Sequence, residues 1–100
     1  MKVLNKALLD RFATKHADSL NAIERWIDIL ELSDVANHNE LKELFPSVDY
    51  VGKNRYVFNI KGNDYRLVAL VLFIGGRATV CFIGTHAEYD KIDCLNVLQK

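Results

Sequence analysis

The sequence predicts an α+β fold in which helices of the first half pack on a small antiparallel sheet formed by the second half. Apolar residues recur at intervals of three and four up to about residue 45, which is the helical pattern. After Gly52 they alternate with polar residues, which is the strand pattern. With 100 residues, half of them hydrophobic, we expect one domain over residues 1–100 with a single core.

The first half predicts a short strand and three helices. Val3-Leu4 is a candidate strand, and a first helix is expected from Asn5 or Lys6. Asp18 resembles the N-cap of a second helix, and a short third helix should start near Asn37 or Asn39 and end before Pro46. The side chains expected to face the core are Leu8, Leu9, Phe12 and Ala13 in the first helix, Leu20, Ile23, Trp26, Ile27 and Leu30 in the second, and Leu41, Leu44 and Phe45 in the third.

The second half predicts a three-stranded antiparallel meander and a terminal helix. The strands cover residues 55–61, 64–74 and 77–83, separated by the two-residue turn signals Gly62-Asn63 and Gly75-Gly76. Thr85 then caps a helix, and Glu88 three positions later completes a capping box. One side of that helix should carry Tyr89, Ile92 and Leu95.

Counting outward from both turns predicts the strand register and the two faces of the sheet. Asn59 should face Arg66, Lys61 should face Asp64, Leu70 should face Cys81, and Arg66 should lie roughly opposite Thr85. One face, expected to carry the helices, holds Tyr56, Phe58, Ile60, Tyr65, Leu67, Ala69, Val71 and Phe73. The other holds Asn59, Lys61, Arg66, Val68, Leu70, Cys81 and Thr85, with His86 and Tyr89 of the terminal helix beside its polar, basic end.

Composition narrows the class of protein. The formal net charge is zero, but residues 51–100 carry seven Lys and Arg against four Asp and Glu, a weak indication of a polyanionic partner that an ordinary solvated surface also produces. Two cysteines, Cys81 and Cys94, without metal-ligand spacing indicate reduced, buried thiols rather than a disulfide framework or a metal site. No signal peptide is seen, and the apolar run over residues 67–74 is too short to cross a bilayer, so a cytoplasmic location is expected.

Each candidate site residue also has an ordinary structural interpretation. An arginine in mid-strand is more often half of a surface ion pair than a phosphate ligand, and Lys61 beside a turn is commonly solvated. His86 fits a surface position in a first helical turn, and Tyr89 fits a core position on a helix stripe. His16 and His38 receive no function, and Cys81 is most simply a small buried hydrophobic residue.

Three segments resemble the HigB toxins of bacterial toxin–antitoxin modules, a branch of the RelE-like ribonucleases. They are Phe45-Pro46-Ser47, residues 57–68 (VFNIKGNDYRLV) and residues 82–93 (FIGTHAEYDKID). The resemblance extends over nearly the whole chain and implies two N-terminal helices on an antiparallel sheet with a short C-terminal helix. It also implies an mRNA endonuclease, generally dependent on the ribosome, that is neutralised by a HigA-like antitoxin containing a helix-turn-helix and contacts operator DNA only through that antitoxin.

The chemistry implied by the resemblance is attack of a ribose 2′-hydroxyl on the adjacent phosphate, without a metal or other cofactor. On the matching positions, Arg66 would stabilise the transition state and Lys61 would supply charge or proton transfer. His86 and Tyr89 are the candidates for acid–base catalysis or for stacking on a base. The candidates for RNA binding are Arg55, Asn59, Arg77 and Lys91.

Cys81 departs from the family pattern, in which a basic residue usually stands at this position of the third strand. Arg77 or Arg55 would then take over the missing charge, or the chain would be a weakened toxin homologue that acts as an antitoxin-binding or regulatory module. The number of cations on the Arg66 face separates these two interpretations.

Overall fold

The computed structural model describes residues 1–92, and its elements follow the predicted order with one additional strand. The helices are α1 (Lys6–Lys15), α2 (Leu20–Glu31), α3 (His38–Leu44) and α4 (His86–Asp90), and a 3₁₀ turn, Ala17–Ser19, precedes α2. The strands are β1 (Lys2–Leu4), β2 (Asp49–Gly52), β3 (Arg55–Ile60), β4 (Tyr65–Leu72) and β5 (Arg77–Thr85). Within residues 1–92, no helix is long and apolar enough to span a membrane.

The strands form one sheet in the order β1-β5-β4-β3-β2, which confirms the α+β class. β1 pairs in parallel with β5, with Val3 opposite Ala78, so the sheet is mixed, whereas the prediction was purely antiparallel. β2 is an edge strand that the prediction lacked. Its first two residues are exposed and its last two are half-buried, so no alternating pattern marks it in the sequence.

The helices cover one face of the sheet and form the main core with it, as predicted. Phe58 is buried between Trp26 of α2 and Phe45 after α3, whose rings lie edge-on to it at centroid distances of 5.2 and 5.1 Å. The predicted face is confirmed in full, since its residues all belong to this core: Tyr56, Phe58, Ile60, Tyr65, Leu67, Ala69 and Val71 are buried and Phe73 is partly buried.

The helix predictions hold with three corrections. Asn37 caps α3 by accepting a hydrogen bond from the Glu40 N–H at 2.9 Å, and α3 ends before Pro46 as expected. Leu20 and Leu44, which were expected in the core, are 45% and 37% exposed because each lies at a helix end. Asp18 was expected to cap α2, but Ser19 occupies the N-cap position and Asp18 bonds elsewhere.

The β3–β4 hairpin has the predicted register. Asn59 lies opposite Arg66 and Ile60 opposite Tyr65, and the turn is closed by a 3.1 Å hydrogen bond from the Asp64 N–H to the Lys61 carbonyl. Lys61 itself adopts a left-handed conformation with φ 53°, so it belongs to the turn and not to the strand.

The predicted register of β4 and β5 is wrong by two residues near their turn. Leu70 faces Thr79, not Cys81, because the connecting loop spans residues 73–76 and is closed by a hydrogen bond from the Gly76 N–H to the Phe73 carbonyl. A register shift between Val68 and Ala69 then leaves Cys81 as the extra residue of a β-bulge, and Arg66 faces Gly84. Because the bulge reverses the alternation beyond it, Thr85 faces Tyr65 and lies on the helix side of the sheet.

The second face of the sheet is covered in part by α4. Val57, Val68 and Cys81 are buried there and form what we call the second cluster. The hydrophobic residues packed against this cluster are Val51, Leu70, Phe82, Tyr89 and Ile92. The predicted stripe of Tyr89 and Ile92 on the terminal helix therefore faces the sheet, while Leu95 and Cys94 lie outside the described residues.

Cys81 lies on the Arg66 face, but its side chain is only 8% exposed, and its thiol donates a weak 3.5 Å hydrogen bond to the Thr79 carbonyl. Cys81→Arg should therefore lower the free energy of unfolding by about 1–3 kcal/mol, because the longer side chain overpacks the second cluster. Chemical denaturation of the two proteins measures this difference. Cys81→Val, which nearly conserves volume, is the control and should change stability by less than about 1.5 kcal/mol. Wild-type stability of Cys81→Arg would show that the second cluster is loosely packed.

Candidate functional site

Arg66 is the centre of the candidate site. It lies near the start of β4, between Asn59 of β3 and Gly84 of β5, and its side chain is half-buried. The Cζ atom lies 5.0 Å from the centroid of the Tyr89 ring, a cation–π contact. Within residues 1–92 the guanidinium forms no salt bridge, and its Nε atom is buried without a hydrogen-bond partner. The positive charge of Arg66 is therefore available to an anionic ligand.

The start of α4 determines where Tyr89 and His86 lie. The Thr85 side chain accepts a hydrogen bond from the Glu88 N–H at 3.2 Å, and the Glu88 carboxylate accepts one from the Thr85 N–H at 2.8 Å. This confirms the predicted capping box. The second of these hydrogen bonds is the main reason that the pKa of Glu88 lies below its ordinary value. With the helix start fixed in this way, Tyr89 lies against Arg66.

Gly84 is required at this junction for steric reasons. A Cβ atom on Gly84 would lie 2.7 Å from Cζ of Phe82, 2.9 Å from Oε1 of Glu88 and 3.2 Å from Cβ of Glu88. The half-buried Phe82 ring thus passes over Gly84, the direct partner of Arg66 in β5. Phe82 was not predicted as a site residue, because uninterrupted alternation does not place it on the same face as Cys81.

His86 is the first residue of α4 and follows Gly84 by two positions. Its side chain is half-buried, and its Nε2 atom is buried with no hydrogen-bond partner in the described part of the chain. Buried polar atoms without partners are uncommon in folded proteins, and one reason for them is a missing ligand. An imidazole nitrogen is suited to accept or deliver a proton near neutral pH.

Lys61 does not join this group, contrary to the prediction for it. Its ammonium lies 2.7 Å from a carboxylate oxygen of Asp18 and 3.6 Å from the carboxylate of Asp64. The other Asp18 oxygen accepts a 2.8 Å hydrogen bond from the hydroxyl of Tyr65, a residue of the main core. Because the turn conformation of Lys61 directs its side chain to the 3₁₀ turn, the residue ties the β3–β4 hairpin to the helix side of the sheet.

The four predicted RNA-binding residues lie at different distances from Arg66. Asn59 is its direct neighbour on β3, and Lys91 is exposed just after α4. Arg55 faces Leu70, four residues further along β4, and Arg77 faces Leu72, six residues along, which is about 20 Å from Arg66 at the usual rise per strand residue. Arg77 is therefore too far away to share a small site with Arg66.

The described residues also form grooves that do not include Arg66. A groove of about 740 Å³ on the outer side of α2 and α3 is lined by Asn21, Ala22, Glu24, Arg25, Asp28, Ile29, Leu32, Ser33 and Leu44. Its polar groups are ordinary surface residues, and it shares none of them with the Arg66 site. Within residues 1–92, no group of three or more His, Cys, Asp or Glu residues is arranged to hold a metal ion.

Comparison with known proteins identifies the family to which this chain is similar. A family model described as HigB_toxin, RelE-like toxic component of a toxin-antitoxin system, matches residues 19–92. An mRNA interferase HigB of Escherichia coli O6:H1 is 30% identical over 94 residues, covering 92% of this chain and 91% of the relative. The mRNA interferase toxin HigB of Escherichia coli K12 is 45% identical over 53 residues, half of each chain.

The steric requirement at Gly84 is testable. Gly84→Ala should lower the free energy of unfolding by about 1–3 kcal/mol, because the new methyl group displaces Phe82 or Glu88. Loss of the capping box alone accounts for about 1 kcal/mol of such a change. Thermal denaturation followed by circular dichroism measures the effect, with Thr85→Ala as a comparison that removes only the cap. Equal stabilities of Gly84→Ala and the wild type would contradict the close approach of Phe82 and Glu88.

The Asp18–Lys61 contact predicts a pH dependence. The hydrogen bonds from Lys61 and then Tyr65 lower the pKa of Asp18 below its ordinary value of 3.8, so this stabilisation is present above pH 3.8 and is lost as the pH falls through the lower folded-state pKa. The hydrogen bond to Asp18 raises the pKa of Lys61 above 10.5, so its stabilisation is complete below pH 10.5 and is lost above it.

Asp18→Asn should therefore lower the Tm slightly near neutral pH, and the difference from the wild type should disappear in strong acid. The effect is small because both side chains are exposed. Asp10→Asn, at an exposed position of α1, is the matched control and should leave the Tm unchanged. A Tm difference between Asp18→Asn and the wild type that does not vary with pH would rule out the ion pair as its cause.

Proposed function

The chain belongs to the HigB family of RelE-like toxins of toxin–antitoxin systems, and from this premise we propose that it is an endoribonuclease that cleaves mRNA at the Arg66 site. The observation that carries the proposal is the half-buried guanidinium of Arg66, which stacks on Tyr89 and forms no salt bridge within residues 1–92. The Escherichia coli relatives are mRNA interferases, which supports this activity.

The proposed reaction uses the RNA itself as the nucleophile. The ribose O2′ attacks the adjacent phosphorus and forms the O2′–P bond, while the P–O5′ bond breaks and leaves a 2′,3′-cyclic phosphate and a 5′-hydroxyl. A base removes the proton from O2′ and an acid delivers a proton to O5′. The phosphoryl oxygens gain negative charge in the transition state, and a fixed cation in a partly desolvated site stabilises that charge most effectively.

Arg66 supplies this cation in the proposal. The Tyr89 ring holds one face of the guanidinium, so the side chain is oriented before RNA binds and little reorganisation is needed during the reaction. The buried Nε atom without a partner is a donor that a phosphate oxygen satisfies. Asn59, directly across from Arg66, provides a further polar contact to the RNA backbone.

His86 is the proposed proton-transfer group of the cleavage reaction. Its buried Nε2 atom has no partner within residues 1–92 and lies at the start of α4, close along the chain to the partner of Arg66 in β5. Tyr89 contributes either a second proton-transfer group or a surface on which a base stacks, in addition to orienting Arg66. Lys61 has no step in this mechanism, because Asp18 and Asp64 hold its ammonium.

The wider biological setting is part of the proposal. Membership of a toxin–antitoxin family implies an antitoxin partner. We expect that partner to be a HigA-like helix-turn-helix protein of a type II module, through which alone the complex contacts operator DNA. The proposed substrate is mRNA on the ribosome in the cytoplasm, and the mechanism above uses no cofactor and no membrane.

Arg66→Ala provides the central test. Induced wild-type protein should arrest bacterial growth and fragment translated mRNA, and Arg66→Ala should reduce cleavage about 100- to 1,000-fold because the transition-state charge loses its cation. Primer extension on transcripts isolated after induction measures cleavage. The variant should remain folded, since loss of a half-buried cation–π contact costs about 1–2 kcal/mol, which is less than the stability of a typical domain.

Arg77→Ala is the matched control, because it removes an exposed arginine at the far end of the same sheet and should retain full toxicity. Normal growth with intact transcripts, at confirmed expression of folded wild-type protein, would refute the proposal and favour the antitoxin-binding module. Full toxicity of Arg66→Ala would place the reaction elsewhere on the molecule.

A further inference from the structure

Arg55 shares a sheet face with Arg66. Arg55 lies directly opposite Leu70, and Leu70 packs against the second cluster, so the register places Arg55 on the side of the sheet that carries α4. Asn59, the strand partner of Arg66, lies four residues after Arg55 on β3. The Cα atoms of the two arginines are therefore separated by about 13 Å along the strands, with the second cluster between them.

The charge of Arg55 reaches the position of Cys81. Burial is the largest influence on the pKa of the Cys81 thiol and raises it, while a backbone hydrogen bond at Leu70 and then the positive charge of Arg55 act in the opposite direction. The Nη1 atom of Arg55 donates a 3.3 Å hydrogen bond to the Lys53 carbonyl, which holds the half-buried side chain near the start of β3.

The surface between the two arginines is apolar and in part aromatic. Val57, Val68 and Cys81 form its buried floor. The half-buried side chains packed against that floor are Val51, Leu70, Phe82 and, from α4 and the residues after it, Tyr89 and Ile92. A strip with a cation at each end and an apolar middle matches single-stranded RNA, whose phosphates need cations and whose unpaired bases pack on apolar and aromatic side chains. Duplex RNA does not fit this pattern, because its bases are enclosed by pairing.

We propose that Arg55 binds a second backbone phosphate of the same single-stranded RNA whose scissile phosphate lies at Arg66, with the intervening bases over Leu70 and Phe82. This inference rests on the proposed ribonuclease function and extends it from one phosphate to a binding track. On this track Arg55 of β3 supplies a cation to the sheet face that also carries Cys81 of β5, two strands away. Arg55 is thus a substrate-binding residue that does not take part in the chemical step.

The test measures binding of a fluorescent 12-nucleotide RNA with 2′-O-methyl groups, which cannot be cleaved, by anisotropy at several salt concentrations. Each lost phosphate contact reduces the slope of log affinity against log salt by about 0.7 for a single strand. Arg55→Ala should show this reduction and bind roughly tenfold more weakly, as expected when a charge-assisted hydrogen bond is removed. Arg66→Ala should reduce the slope by a similar amount, and the double variant by about twice as much.

Arg77→Ala is the control for loss of an arginine outside the track and should bind as the wild type does. Arg55→Lys should retain the salt slope, and Arg55→Gln replaces Arg55→Ala if circular dichroism shows that the alanine variant is unfolded. Wild-type affinity and slope for a folded Arg55→Ala or Arg55→Gln would overturn the inference, as would absence of RNA binding by the wild type. Growth arrest and transcript cleavage by the wild type test the ribonuclease proposal separately from these measurements.

Discussion

The packing of α4 on the second face of the sheet is the constraint on which the candidate site depends. The helix has only five residues, so its internal hydrogen bonds cannot hold it in place. Its position is set by the capping box between Thr85 and Glu88, by the contact of Tyr89 and Ile92 with the second cluster, and by the lack of a side chain at Gly84. If α4 moved, Tyr89 would leave Arg66 and His86 would leave its half-buried position.

Two cations beside the turn of the β3–β4 hairpin illustrate how surroundings give similar cations different roles. Lys61 is paired with two carboxylates, so its charge is neutralised locally and contributes to attaching the hairpin to the 3₁₀ turn. Arg66 is only five residues away in sequence, but its nearest described charge-stabilising contact is an aromatic ring. A ring offsets part of the cost of removing a guanidinium from water, yet it does not cancel the charge. Arg66 consequently keeps its attraction for a phosphate, whereas Lys61 would have to break an ion pair first.

Sequence reasoning predicted the parts of the fold that depend on local patterns. Amphipathic spacing located α1, α2 and α3, alternation identified the helix-covered face of the sheet, and residue type located the capping box at Thr85 and Glu88. It failed where a local pattern has two structural solutions. A Gly-Gly pair is compatible with a two-residue or a four-residue hairpin loop, and a single extra residue in β5 changes which side chains share a face.

The candidate site, like the fold, was predictable where it depends on local sequence patterns and not where it depends on packing between distant elements. The contact between Arg66 and Tyr89 was predictable, because two local signals in the sequence, the β3–β4 hairpin and the helix cap, determine the positions of these residues. Lys61 could not be placed correctly, because its left-handed conformation and its bond to Asp18 depend on how the hairpin packs against an element 43 residues earlier in the chain. Phe82 was missed because its face depends on the bulge at Cys81.

The bulge also explains how the second face combines a hydrophobic floor with a charged edge. Without an extra residue, strict alternation would turn Phe82 to the main core and Thr85 to the Arg66 side. The bulge lets Cys81 and Phe82 both contribute to the second face, the former to its floor and the latter beside Gly84. The same reversal places Thr85 on the helix side, from which the chain enters α4 and crosses back over Arg66. One inserted residue in β5 thus produces both the apolar strip and the approach of α4 to the cation.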